Sequence, residues 1–69
     1  MTVPEAGRVY EVFARGRQRD ALTHVGSVRA PDDGLARAYA RTTYDEEPWA
    51  EMLAVPRDAV IPVLRPGGA

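Results

Sequence analysis

Sixty-nine residues allow one domain and one hydrophobic core. With no cysteine and a single histidine, that core has no disulfide or thiolate metal site to support it. Nine arginines against ten acidic residues leave a net charge of −1, which excludes the strongly basic field that binds nucleic acid or anionic membrane.

No apolar run approaches the roughly 20 residues that cross a bilayer. The start, MTVPEAGR, lacks a basic stretch followed by an apolar block. The expectation is a soluble, cytoplasmic chain of one domain, residues 1–69, in which burial against a partner supplies the missing support. Residues 1–7 are predicted as a loose leader, 8–64 as the ordered core and 65–69 as a flexible tail.

Val9–Arg15, VYEVFAR, is rich in β-branched and aromatic residues and is predicted as a strand. Alternation sets Tyr10, Val12 and Ala14 on one face and Val9, Glu11, Phe13 and Arg15 on the other. The second face is partly apolar, as it would be if a partner covered it. A polar loop, GRQRD at 16–20, leads to LTHVGSVRA at 22–30, the second strand. So short a connection predicts an antiparallel hairpin. A slip of one residue in the pairing exchanges the faces of His24 and Val25. The preferred register puts Val28 beneath a helix and His24 on the far face. Gly26 inside the strand predicts a bulge or the close approach of a neighbouring backbone or aromatic ring.

Pro31 stops this strand, and Asp32 and Asp33 suit the free amides and positive end of a helix that begins at Gly34. Leu35, Ala38, Tyr39 and Thr42 fall on one helical stripe, at intervals of three and four. Arg37 and Arg41 lie off it, each four residues from an acid (Asp33 and Asp45), the pattern of a solvated face. The alanines keep one side slim, so the helix can lie close on a sheet. DEEP, 45–48, ends the helix. WAEMLAV, 49–55, is the third predicted strand, with Trp49, Leu53 and Val55 on one face and Met52 on the other. Arg57–Ala59 is a short turn, and VIPVL, 60–64, a last extended piece whose Pro62 permits only an edge position. The order β-β-α-β predicts an α+β domain of the β-grasp, ubiquitin-like kind, with a ferredoxin-like sandwich as the alternative.

No group of residues here amounts to a catalytic constellation. His24 and Ser27 are three apart, so in a regular strand they point to opposite faces and form no dyad without a bulge. The acids are accounted for by capping and by a solvated turn. The Glu-x-x-His pairs of a di-iron site are absent, as are both glycine-rich phosphate loops. Arg15, Arg17 and Arg19, with Arg29 near them, form a small basic cluster. Its aromatic neighbours Tyr10 and Phe13 straddle two faces, so stacking on nucleic acid is disfavoured; the alternatives are a hydrated hairpin tip and, third, docking onto an acidic partner surface. Trp49 belongs to a core or an interface.

Tyr10-Glu11-Val12-Phe13, Arg15-Gly16, Gln18, His24-Val25-Gly26-Ser27-Val28, Ala30 and Asp32 together resemble the PaaB family, the B subunit of phenylacetyl-CoA epoxidase. Its members open with YEVFVRGKQG, then HVGSLHAAD, then a helix ending Ala-x-x-x-Tyr, matched here by Ala40 to Tyr44. Met52–Val55 and Arg57–Ile61 resemble the family's WVVKASEIV more loosely, and the likeness spans residues 9–61. Departures are the brief DEEP turn, Arg19-Asp20-Ala21 in the hairpin and a reduced C-terminal arm.

The resemblance implies a non-catalytic subunit that bridges the iron-bearing and structural oxygenase subunits of a multicomponent monooxygenase and dimerises with itself. Di-iron, FAD, iron–sulfur and NADPH would sit on partner subunits and none on this chain. The interface candidates are Tyr10, Phe13, Arg15, Arg17, Arg19, His24, Val25 and Trp49. The alternative is a stand-alone homodimeric interaction module.

Overall fold

A computed structural model describes residues 7–67, so the predicted leader apart from Gly7, and the last two residues of the predicted tail, lie outside the described residues. Strands β1 (Arg8–Arg15) and β2 (Thr23–Ala30) are followed by helix α1 (Asp33–Thr43), strand β3 (Glu51–Pro56) and a single 3-10 turn, Arg57–Ala59. The sheet order is β2-β1-β3, and both pairings are antiparallel. This is the α+β class expected from the sequence. The central strand is the one whose two faces are both partly apolar: Tyr10, Val12 and Ala14 are buried, and Val9, Glu11, Phe13 and Arg15 half-buried.

The hairpin loop covers 16–22 and is organised by Arg15. Its Nη1 donates to the carbonyls of Gln18 (2.8 Å) and Asp20 (3.2 Å), and its Nη2 pairs with Glu51 across the β1–β3 ladder. One guanidinium thus ties the loop to the third strand, a use that its planar fork of donors makes possible.

Asp32 caps α1 as expected: its Oδ1 accepts from the Leu35 amide at 2.8 Å. Asp33 does something the sequence did not suggest. It reaches down to the sheet, where the Tyr10 hydroxyl donates to its Oδ1 at 2.7 Å. That bond, together with burial, pushes the Tyr10 phenol above its ordinary pKa. Arg37 forms no ion pair with Asp33, nor Arg41 with Asp45, although each lies four residues from its acid.

The buried face of α1 is Ala36 and Ala40, and the expected stripe is corrected: Leu35 and Tyr39 are 39% and 41% exposed. The sheet surface under the helix already carries the Tyr10 ring, so only methyl-sized residues fit between. The larger side chains are turned outward. The core is accordingly small. Among the described residues, besides alanines, only Tyr10 and Val12 are wholly buried, and Val28 and Ala54 pack against the cluster of Tyr10, Ala30 and Ala36.

Two other expectations are corrected. Trp49 precedes β3 rather than starting it, because its indole N–H donates to the Tyr44 carbonyl at 2.6 Å and holds it back at the end of the helix. The segment 60–64 pairs with no strand; Ile61, Val63 and Leu64 are more than 80% exposed. Pro62 supplies no ladder donor, and the 3-10 turn has already taken the chain off the edge of the sheet. The molecule is a slab 16 Å thick with a radius of gyration of 13.9 Å, against about 11 Å for a compact chain of its length. One face of its sheet has no helix.

Candidate interaction surface

The helix-free face owes its composition to a bulge. Val12 pairs with Gly26, but Phe13 pairs with His24, so Val25 is the extra residue. Gly26 makes room for this. A Cβ there would stand 2.0 Å from the Tyr44 hydroxyl oxygen, and the backbone has φ +156°. The Tyr44 ring lies against the glycine and donates to the Ser27 carbonyl at 3.2 Å. Both features predicted for Gly26, a bulge and a close aromatic, are present together. A bulge moves every following side chain to the other face. It therefore sets His24 beside Phe13 rather than beneath the helix, while Val28, opposite Tyr10, packs on the helix side as expected.

Glu11 lies at the centre of this face. Its Oε1 accepts from His24 Nε2 at 2.8 Å and its Oε2 from Arg57 Nε at 2.5 Å, with the glutamate side chain only 17% exposed. The Arg57 bond first, and the His24 bond after it, hold its carboxyl below the ordinary carboxylate range. The Phe13 and His24 rings meet with centroids 5.2 Å apart at 53°. Leu53 and Val55, paired with Phe13 and Glu11, continue the face across β3. A second ion pair, Arg8 to Asp58 at 3.2 Å, helps Arg57 bring the chain after β3 back over the sheet. Val60 and Pro62 then close one side of a shallow groove of about 430 Å³ floored by Phe13.

The bulge also overturns the geometric reason for separating His24 from Ser27. Ser27 pairs with Glu11, so serine, histidine and glutamate share one face. No hydrogen bond joins Ser27 to His24 among the described residues; the imidazole is turned to Glu11 and the phenylalanine ring. Nor do three His, Asp or Glu side chains converge to hold a metal ion among them. The arrangement is a charged clasp over an aromatic floor. It can bind a surface, and it lacks the base-to-nucleophile contact that acyl-transfer chemistry uses.

The structure distributes the interface candidates. Phe13 and His24 lie together on the helix-free face, with Arg15 at its margin paired to Glu51. Arg17 and Arg19 are exposed in the hairpin loop. Tyr10 is 1% exposed under α1, so its even-numbered strand position makes it core. Val25 and Trp49 line a separate hollow with Ala14 and Thr23, because the bulge turns Val25 away from Phe13. Sequence reading missed Glu11, Arg57 and Val60. Glu11 alone had a signal, a carboxylate in the middle of an otherwise apolar strand. The Arg57 contact spans 46 positions and has no local signature.

The family model for phenylacetic acid degradation B, PaaB, matches residues 7–65. Neither a curated protein nor a solved structure matches the chain.

Proposed function

The chain belongs to the PaaB family, phenylacetic acid degradation B, and from that premise we propose that it is a non-catalytic bridging subunit of a multicomponent di-iron monooxygenase that epoxidises phenylacetyl-CoA. A role in phenylacetic acid degradation comes with the family. The supporting observation is the helix-free face, where Phe13, His24 and Val60 surround the Glu11 clasp and an apolar arm continues to Leu64. A slab this thin gains its missing apolar burial by docking. On this reading the iron, flavin, iron–sulfur cluster and NADPH belong to partner subunits, and the protein acts in the cytoplasm as a homodimer between oxygenase subunits. No helix among the described residues is long and apolar enough to cross a membrane.

For the finer fold class we favour the ferredoxin-like arrangement over the β-grasp roll. In its support, β2 and β3 run in the same direction with β1 between them, so β2-α1-β3 is a split crossover.

The test is co-expression with a di-iron oxygenase pair. The chain is expected to elute with the pair. Val60→Asp and Phe13→Ser, each checked by circular dichroism for retained fold, should weaken that association about tenfold or more. Elution of the wild-type chain apart from the pair, as a stable dimer, would instead establish the stand-alone module.

A further inference from the structure

The two outer strands of the sheet are built differently. β2 is bulged at Val25, and the Tyr44 hydroxyl occupies its Ser27 carbonyl, devices that spoil an edge for further pairing. β3 has neither. Its six pairs with β1 run without a register shift, and its one proline, Pro56, stands at the end. Among the described residues, no backbone group of Glu51–Pro56 bonds to backbone outside β1. The chain after Pro56 leaves the edge uncovered, since Arg57, Val60 and Pro62 turn over the Glu11 face.

Beside this edge runs a groove between β3 and α1. Met52, Leu53 and Ala54 line its strand side, and Arg37, Ala40 and Arg41 its helix side. It continues beyond Arg37 toward Pro56 and beyond Arg41 toward Trp49. Neither arginine has an ion-pair partner among the described residues. Of the acids at its ends, Glu51 is paired with Arg15, Asp33 keeps its charge while accepting from the Tyr10 hydroxyl beyond Arg37, and Asp45 and Glu47 lie past Arg41. Positive charge is thus confined to the middle of the groove, at Arg37 and Arg41.

We propose that this seam receives an extended segment of a partner protein as a fourth strand, acidic–apolar–acidic at its centre. Main-chain pairing to β3 would supply affinity, and alternate side chains the selection. Arg37 and Arg41 are four residues apart, about 6 Å along the helix. Carboxylates two residues apart on a strand are spaced about 6.7 Å on one face, so each meets its own guanidinium. The apolar residue between them points to the other face, beside Leu53.

A second copy suits the seam poorly. Antiparallel β3–β3 pairing about a two-fold axis normal to the sheet would put both helices on one side and bring four guanidiniums together. The Val60–Leu64 arm of another copy carries no carboxylate. The seam is separate from the Glu11 groove, and its occupant does not depend on the oxygenase role proposed above.

The probe is a fluorescein-labelled peptide, Thr-Val-Glu-Val-Glu-Val-Thr, titrated with the full chain, with amide shifts followed by NMR. Binding is expected to perturb Glu51–Val55 and weaken steeply with salt. It should be lost when alternate peptide amides are N-methylated. Replacing both glutamates with lysine should weaken it about tenfold or more, and Arg37→Glu with Arg41→Glu should reverse that preference. The proposal is overturned if neither peptide binds. It is equally overturned by binding that ignores charge, survives N-methylation or perturbs β2 or the 60–64 arm instead.

Discussion

Replacing Gly26 with alanine tests the bulge on which the whole helix-free face depends. The added methyl would lie 2.0 Å from the Tyr44 oxygen and 2.7 Å from the ring carbon that bears it, so the ring must move. Moving it breaks the hydroxyl bond to the Ser27 carbonyl, worth about 1 kcal/mol. The backbone at φ +156° adds a strain of about 1–3 kcal/mol for any side chain other than hydrogen. Together the loss is about 2–4 kcal/mol, most of the ~3–5 kcal/mol that a core of this size supplies.

Thermal and urea unfolding followed by circular dichroism reads it directly, each kcal/mol shifting the midpoint by about 4–8 °C in a chain of this length. The same substitution in a Tyr44→Ala background should cost only the backbone share. A difference of about 1 kcal/mol or more between the two backgrounds therefore measures the ring contact. If Gly26→Ala changes stability by less than about 0.5 kcal/mol in the native background, the ring is free to swing aside and the bulge does not need glycine. The account of how His24 reaches Phe13 would then be wrong.

Glu11→Gln should release Arg57 and the arm that follows it, raising hydrogen exchange across 57–62. Because the Glu11 carboxyl is depressed in the folded state, its contribution to stability is present above the ordinary glutamate range and is lost as pH falls through the folded value. Wild-type stability should thus decline from near neutral pH to pH 3 more than that of Glu11→Gln, and parallel declines would refute the clasp. Asp32→Ala removes the cap on α1 and should cost about 1 kcal/mol in urea unfolding. Ala40→Leu should overpack the interface between helix and sheet by about 1–3 kcal/mol. Leu35→Ala, on the exposed stripe, should fall within about 0.5 kcal/mol of wild type; the opposite ranking would restore the stripe read from periodicity.

What could be read in advance was whatever depends on near neighbours. The alternation of VYEVFAR, the short link to THVGSVRA and the aspartate before the helix each specify a local geometry, and each is present. Gly26 signalled its own peculiarity, because a strand interior rarely tolerates a glycine without a reason. The helix face was misread because spacing alone cannot separate a large apolar stripe from an alanine stripe. Which of them faces inward depends on the room that Tyr10 leaves on the sheet, a tertiary fact. Trp49 was misplaced for a similar reason, its indole being bound to a carbonyl five residues back rather than to the ladder. The Glu11–Arg57 pair joins the first strand to the turn after the last, and no pattern within either segment announces it.

The central position of β1 also sets the order in which the chain can complete itself. Its first partner, β2, follows at once, but its second contributes Pro56 opposite Tyr10, so half of the ladder waits until the chain has been made past residue 56. Through that interval the nascent hairpin presents Glu11, Phe13 and their unpaired amides to whatever is near. Synthesis therefore leaves an interval in which another protein can reach the strand before β3 pairs with it.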